Sequence, residues 1–491
     1  MRRYQHWIDG EPTRGSISDA FIRTSPAHGG ELAAFAKGDA NDVDRAARAA
    51  ALAQRAWADL SGIERAGHLT ALADLILKNR DRLAEIEAEE AGKTIRDAKG
   101  EIAHSVNLTR YAASLCWEIP GRAQSHHGTG ALGLVTYEPR GVVGMITPWN
   151  FPMVTLFQKL PYALAAGCTV VIKPSELTSG TTLEMARLAQ DAGVPNGVIN
   201  VVTGSGSVVG AAMIEHPLVD MISFTGSTRA GMEIGSACAR LVKRAGLELG
   251  GKAANVVFAD ADIDDALDGA LLGTILNAGQ ECVAGTRILV ERKVVQNFTE
   301  ALAERVKKLR VGIPLDPDAD MASVIHEAHM HSVLGHIELA RREGATIAVG
   351  GGRKSDGAFE KGFFVQPTVL CSVTPSMTYF TEEVFGPVAS VTPFDSVDEA
   401  IALANDTTYG LGNGLWTKDL DKALQVSKQL KSGTVWVNTY LDGAPQMPFG
   451  GYKRSGLGRE NGIEGLTEFM DVKSTFIRLG KRTKALAHTA I

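Results

Sequence analysis

Of the five cysteines, Cys282 sits in a setting unlike the other four. Gly279-Gln280-Glu281-Cys282-Val283-Ala284-Gly285 reads as a glycine-bracketed loop between a helix and a strand, which can expose a thiolate and offer its own N–H to an oxyanion. A buried structural thiol is the competing reading. Cys168 and Cys371 lie in strand contexts, Cys238 within a helix and Cys116 beside Trp117 at a helix end, all places where cysteine packs as a small hydrophobe. A nucleophile needs a base. His326, His329, His331 and His336 fall on one segment that reads as a solvated amphipathic helix. No cysteine or acidic pair at ligand spacing completes a metal site there, so no metal is expected. Glu248, in Leu247-Glu248-Leu249-Gly250-Gly251-Lys252, is the better candidate. A carboxylate between two leucines is desolvated and its pKa rises toward the range of a general base; a surface glutamate in a loop is the alternative.

The chain holds 53 glycines in 491 residues, and three glycine patterns compete for a dinucleotide. Gly128-Thr-Gly130-Ala-Leu-Gly133 matches GxGxxG literally, but it follows Ser125-His126-His127 and leads into strand-like Leu134-Val135-Thr136-Tyr137, so its context is wrong. Gly204-Ser-Gly206-Ser-Val-Val-Gly210 follows a strand and opens a helix, with its last glycine one residue late; it suits adenine or ribose packing. Phe224-Thr225-Gly226-Ser227-Thr228-Arg229-Ala230-Gly231 ends a strand and starts a helix with Ser and Thr at the cap. Free N–H groups and the positive helix end make that an anion site, although an ordinary capped turn looks the same. At another strand end, Lys173-Pro174-Ser175-Glu176 places Lys and Glu where they can grip a ribose diol, or where they form a solvated loop.

The elements that must carry these residues follow from periodicity. A strand pair opens the chain, Asp42 to Trp57 has apolar residues at helical spacing, and Ser61 with Glu64 forms a capping box for a helix through Leu83. From Val142 onward, β-branched runs alternate with helical stretches at 153–166, 179–192, 207–215 and 228–244. A second series runs from Asn255-Val256-Val257-Phe258 through Arg287-Ile288-Leu289-Val290 and helix 294–309 to Thr434-Val435-Trp436-Val437. This alternation predicts βαβ units and parallel sheets covered on both faces. The fold class is α/β: two Rossmann-like, doubly wound domains, breaking near Gly250-Gly251, plus a small β-arm. Gly121 to Arg140 and Phe469 to Leu479 are expected to form that arm, a device for oligomerisation.

Composition excludes several functions. Lys plus Arg number 50 against 56 Asp plus Glu, so the excess positive charge that phosphate backbones demand is absent and no nucleic acid is expected. The longest apolar stretch, Pro161 to Ile172, is too short to span a bilayer, so no membrane is expected. Met1-Arg2-Arg3-Tyr4-Gln5-His6-Trp7 leads into no apolar signal region, and five unpaired-looking cysteines fit a reducing compartment; the cytoplasm is expected.

Taken together, the motifs carry a resemblance. Thr147-Pro148-Trp149-Asn150-Phe151-Pro152, Lys173-Pro-Ser-Glu176, Phe224-Thr-Gly-Ser-Thr228, Glu248-Leu-Gly-Gly-Lys252, Gly279-Gln-Glu-Cys282, Glu382-Glu383-Val384-Phe385-Gly386-Pro387 and Pro448-Phe-Gly-Gly-Tyr-Lys-Arg-Ser-Gly456 stand in the order and spacing of the aldehyde dehydrogenase superfamily. The resemblance implies a dinucleotide domain (1–120 and 141–250), a catalytic domain (251–453) and an oligomerisation arm (121–140 and 469–491), assembled as a homodimer or homotetramer. It implies that Cys282 attacks an aldehyde, that the Asn150 amide and the Cys282 N–H hold the oxyanion, and that Glu248 activates the water that hydrolyses a thioester. It puts the pyrophosphate at Gly226-Ser227, with cofactor contacts at Ile146, Thr147, Pro148, Trp149, Lys173, Ser175, Glu176, Gly206, Phe224, Gly231, Leu249, Glu383 and Phe385. Glu383 grips the nicotinamide ribose, and Phe385 packs by the ring. Glu176 repels a 2′-phosphate, so NAD is favoured over NADP. Lys159 and Glu460 resemble a proton-relay pair.

The substrate is the open point. Gln158 falls where relatives acting on long or aromatic aldehydes place Trp and those acting on acid semialdehydes place Arg. With Glu281 beside the nucleophile and Tyr440-Leu441-Asp442 on the expected pocket loop, the pocket residues Gln158, Glu281 and Tyr440 lean toward a small polar, amino-bearing or semialdehyde substrate. Two rivals are a CoA-acylating semialdehyde dehydrogenase, whose members generally lack the glutamate at Glu248, and a crystallin-like protein without catalysis, which would be marked by loss of Cys282, Asn150 or Glu248.

Overall fold

The structure is a computed structural model and describes residues 1–16, 19–127 and 130–480. Gly128 and Thr129, which open the literal GxGxxG, and the last part of the expected arm, 481–491, lie outside the described residues.

Five short strands, Arg2–Tyr4, His6–Ile8, Glu11–Thr13, Ala20–Thr24 and Glu31–Ala36, stand where a single strand pair was expected. Helix Ala40–Ala58 follows, and the Ser61/Glu64 capping box opens helix Gly62–Lys78. That helix stops before Leu83, because Asn79 leaves helical geometry and turns its side-chain amide onto the Leu75 carbonyl; a separate helix, Arg80–Ala91, begins there.

The first large sheet has the order Gly456–Leu457, Arg244–Glu248, Met221–Thr225, Val142–Ile146, Thr169–Lys173, Ile199–Val201, His6–Ile8, Glu11–Thr13. Its five central strands are parallel, and Val142–Ile146 and Thr169–Lys173 among them are buried along their whole length, as helices on both faces require. The chain enters at Val142–Ile146, winds outward through Thr169–Lys173 and Ile199–Val201, then returns to Met221–Thr225 on the opposite side. Between Val142–Ile146 and Met221–Thr225 the winding reverses, and the crevice above such a reversal is where open α/β sheets hold ligands.

Three expected elements differ here. The helix expected over 228–244 ends at Arg240, and Arg244–Glu248 is a strand paired in parallel with Met221–Thr225. The stop is a Schellman turn: Val242 takes φ 58 and the Lys243 N–H reaches the Cys238 carbonyl, so no glycine marks it in the sequence. The helix expected over 153–166 is two, Pro152–Phe157 and Leu160–Ala166. Pro161 has no N–H to continue the ladder, and Lys159 sits at the break. The segment 207–215 opens as a π-helical turn at Gly206–Gly210 before Ala211–Glu215.

The second large sheet runs Thr346–Val349, Thr368–Cys371, Val388–Phe394, Arg287–Glu291, Ala254–Val257, Gly412–Trp416, Thr434–Val437, parallel except at its first strand. Met470–Arg478 pairs antiparallel with Ala131–Pro139, which pairs with Arg122–Gln124, joining the two segments expected to form the arm. No helix among the described residues is long and apolar enough to cross a membrane.

Candidate active site

One cavity of about 1210 Å³ opens above the winding reversal. Its walls include Pro148, Trp149 and Asn150 after Val142–Ile146; Thr225, Gly226 and Ser227 after Met221–Thr225; and Glu248 and Leu249 after Arg244–Glu248. Glu281, Cys282, Glu383, Phe385 and Glu460 complete it from the other side. Residues separated by hundreds of positions thus meet at the ends of parallel strands.

The turn bearing Cys282 is held peptide by peptide. Asn277 and Ala278 take left-handed φ values of 49 and 55 that break the helix Ile263–Ile275 away from the strand to come. The Asn150 side-chain amide donates to the Gln280 carbonyl at 3.0 Å, and Asn277 Nδ2 donates to the Asn150 carbonyl at 2.8 Å. The Ala284 N–H closes onto the Glu281 carbonyl at 3.1 Å. Cys282 and Val283 are therefore the middle of a tight turn, and the Cys282 N–H donates to no other residue among the described ones. That free N–H and the remaining amide hydrogen of Asn150 are the donor set an oxyanion needs. Burial first, then the neighbouring carboxyls of Glu281, Glu383 and Glu248, hold the Cys282 thiol well above the usual thiol range. The thiol keeps its proton until a base removes it.

Glu248 is 4% exposed, and neither carboxyl oxygen has a hydrogen-bond partner among the described residues. Burial, reinforced by Glu460 and opposed by Lys159, raises its pKa well above the carboxylate range. The Lys159 ammonium, brought inward by the break between two short helices, pairs with Glu460 and donates to Thr225 Oγ1 at 2.6 Å. Thr225 and Glu248 are register partners in adjacent strands, so Lys159, Glu460 and Glu248 share one corner.

On the opposite wall, Glu383 accepts from the Gly251 N–H at 2.9 Å, and burial raises its pKa to about 7. Phe385 adopts φ 57, and its carbonyl lies 2.7 Å from His329 Nε2. The His329 ring stands edge-on to Trp149 and Phe385, and burial lowers its pKa to about 4. His329 therefore packs under the cavity wall, whereas the sequence reading had it on a solvated face. His326 caps the helix Glu327–Arg342 through its ring.

At the strand end behind, Ser227 Oγ accepts only from the Ala230 N–H, leaving the N–H groups of Thr228 and Arg229 without acceptors among the described residues. Gly226 lies against the Phe224 ring and donates to the Glu248 carbonyl. A Cβ on Gly231 would fall 2.2 Å from Leu249, so this glycine sets how closely helix and strand pack. Ile146 is register partner of Lys173, and the Thr147 N–H donates to the Lys173 carbonyl at 3.1 Å. Lys173, Ser175 and Glu176 with Gly206 occupy the neighbouring strand ends, beyond the walls of the main cavity. Burial lowers the Lys173 pKa and Glu176 opposes that fall.

Gln158 and Glu281 line the remaining limb, with Asp97, Glu101 and Asp442. Glu281 is pushed up to about 8 by burial and by Asp97. Asp97, Glu101 and the buried Lys93 that pairs with Glu101 were missed from sequence; they sit on and before the helix Ile95–Leu115 as ordinary helical charges, with no local pattern to single them out. Tyr440 is not among the residues that line the cavity: 3% exposed, it packs behind the turn that carries Cys282, on a segment where Asn438 and Leu441 take left-handed φ values of 54 and 63. Among the described residues, no group of three or more His, Cys, Asp or Glu is arranged to hold a metal.

Comparison with known proteins identifies the family. The aldehyde dehydrogenase family pattern matches residues 14–475. An Arabidopsis thaliana protein, aldehyde dehydrogenase family 2 member C4, is 40% identical over 477 residues, 96% of this chain and 94% of that protein. The crystal structure of an NAD-dependent aldehyde dehydrogenase from Sinorhizobium meliloti superposes with a TM-score of 0.97 at 43% identity, covering 99% of this chain and 96% of that one. A betaine aldehyde dehydrogenase mutant from Staphylococcus aureus, solved with NAD+, gives 0.96 at 38% identity with 99% of each chain covered. An NAD+ complex of a Bacillus cereus aldehyde dehydrogenase gives 0.95 at 40% identity over 98% of this chain and 97% of that one. With its family pattern spanning nearly the whole length and its fold and sequence shared at this level, the chain belongs to the aldehyde dehydrogenase family.

Proposed function

We propose that this protein oxidises an aldehyde to its carboxylic acid with NAD, through a thioester on Cys282. The observation that carries this is the meeting of Cys282, Asn150 and Glu248, from three separate segments, in one cavity. The residues fit a dinucleotide: uncapped N–H groups at Thr228 and Arg229 suit a pyrophosphate, and Glu383 stands on the same cavity wall as Phe385 to take a ribose. Glu176 disfavours a 2′-phosphate by charge, which supports NAD over NADP. When bound, NAD supplies the hydride acceptor. The Cys282 thiol gives its proton to water, its sulfur bonds to the aldehyde carbon, and the oxygen takes the charge between the Cys282 N–H and the Asn150 amide. Loss of hydride from that carbon leaves the thioester. Glu248 then takes a proton from water, whose oxygen attacks the thioester carbon; the C–S bond breaks and the carboxylate leaves. Lys159 and Glu460, in contact beside Glu248, suit onward passage of that proton.

The buried, unpartnered Glu248 favours water over CoA as the resolving group, and the intact site disfavours a purely structural role. The free cysteines fit the cytoplasm. The antiparallel strand Met470–Arg478, exposed at Val472 and Phe476, suits a homodimer or homotetramer. For the substrate, carboxyls at Glu281, Asp97, Glu101 and Asp442 line the cavity, and Arg96, which also lines it, is paired with Asp320 at 3.5 Å. That balance favours an amino-bearing aldehyde over an acid semialdehyde.

The test is NADH formation with an aminoaldehyde, a neutral aldehyde of equal length and the matching acid semialdehyde. Above about pH 8, where Glu281 is ionised, the aminoaldehyde should show the highest kcat/KM, and Glu281→Gln should lower that value about tenfold, the size of one modest charge contact, with little change for the neutral aldehyde. Preference for the acid semialdehyde would overturn the substrate assignment; turnover retained by Cys282→Ser would overturn the mechanism.

A further inference from the structure

Tyr440 lies outside the cavity and touches no cofactor or substrate candidate, yet its surroundings are unusually specific. Its hydroxyl donates to the Val283 carbonyl at 2.8 Å, and Val283 follows the nucleophile in the tight turn. Its ring occupies a slot made by three glycines from three elements. A Cβ on Gly273, in helix Ile263–Ile275, would fall 2.8 Å from the ring; on Gly285, at the end of the nucleophile's loop, 2.6 Å; on Gly414, in strand Gly412–Trp416, 2.5 Å. Gly285 therefore serves less to expose the thiol than to admit this ring. The far side of the ring packs on Trp436 at 5.1 Å between centroids, and Trp436 itself lines the cavity.

The hydrogen bonds around the turn leave one role open. The Gln280 carbonyl is taken by Asn150, the Glu281 carbonyl by the Ala284 N–H, and Gly251 packs flat on the Cys282 carbonyl. The Val283 carbonyl belongs to the same peptide as the Ala284 N–H, so the Tyr440 hydroxyl supplies the second of two hydrogen bonds on that plane, and tilting the plane tilts the turn that aims both the Cys282 N–H and its sulfur. We propose that Tyr440 is a positioning residue that fixes this peptide, and with it the line of attack and the oxyanion donor. The proposal rests on Cys282 being the nucleophile. A single neutral hydrogen bond of this kind sets the scale of the effect at less than about tenfold in rate.

Tyr440→Phe keeps the ring in its slot and removes only the hydroxyl. The expected result is a kcat about five- to tenfold lower, an unchanged KM for NAD, and slower alkylation of Cys282 by iodoacetamide, all measured well below the Tm. Gly285→Ala presses on the same ring from the turn and should give the same split between kcat and KM. Should Tyr440→Phe fail to fold, Gly285→Ala read below its own Tm decides the matter. Wild-type kcat and alkylation rate in a folded variant, with only Tm lowered, would overturn the proposal, as would kcat and NAD KM worsening together. Cys282→Ser separates the two levels: if it keeps turnover, the nucleophile assignment fails, whatever Tyr440 does.

Discussion

Glu248 joins two properties that rarely coincide. It is buried among apolar neighbours, which favours the protonated acid, and it adjoins a Lys159–Glu460 pair that offers a route for the proton. Once its own proton has left by that route, such a carboxyl holds an incoming proton tightly, which is what the proposed base needs. Glu248→Gln should therefore leave acylation largely intact and slow deacylation: a burst of NADH near one equivalent per site, followed by a steady rate lower by about 10²-fold or more. Unaltered steady turnover would remove Glu248 from that step. The raised pKa was legible in the sequence, since Leu-Glu-Leu before Gly-Gly already signals a desolvated acid. The role of His329 was not, because nothing local tells that one face of its helix is pressed against Trp149 and Phe385, residues far away in the chain.

Strand-to-loop transitions do the positioning, and the Gly250-Gly251 step shows how. Gly251 donates to Glu383, while a Cβ there would fall 2.1 Å from the Cys282 carbonyl; a Cβ on Gly250 would fall 2.3 Å from the Glu383 carboxyl. The two glycines thus face different partners. Gly250→Ala meets the end of a flexible side chain that can swing aside, so KM for NAD should rise with kcat little changed. Gly251→Ala meets backbone at Cys282, so kcat should fall by about 10²-fold or more, in the range a small misplacement costs. Steady-state kinetics on both variants checks the pair, and identical profiles would contradict it. Alternation of strands and helices was readable from periodicity alone. The inward break at Lys159 and the strand Arg244–Glu248 were not: one depends on a proline inside an apolar run, and the other on a valine taking the turn conformation usually left to glycine.

Across the whole molecule, several carboxyls are buried on the acid side of neutrality. Glu90 is 1% exposed, accepts the Gly180 N–H at 3.0 Å and is pushed up to about 7 by burial. Its folded pKa lies above the unfolded value of 4.5, so its contribution is fully present below about pH 4.5 and is lost as pH rises through about 7. Glu90→Gln keeps an acceptor for Gly180 and cannot ionise, so its Tm should fall less than the wild type's between about pH 5 and about pH 8. Parallel curves would show that Glu90 does not carry that dependence. The chain's path has a separate consequence. Gly456–Leu457 joins the first sheet beside Arg244–Glu248, and Met470–Arg478 pairs back with Ala131–Pro139, so everything between is an insertion closed by the first sheet's own edge. During synthesis Lys159 emerges 301 residues before Glu460. A chain that stops short of Gly456 carries Cys282, Glu248 and Asn150 but not the edge that closes beside them, so the corner shared by Lys159, Glu248 and Glu460 forms only after that strand has been made.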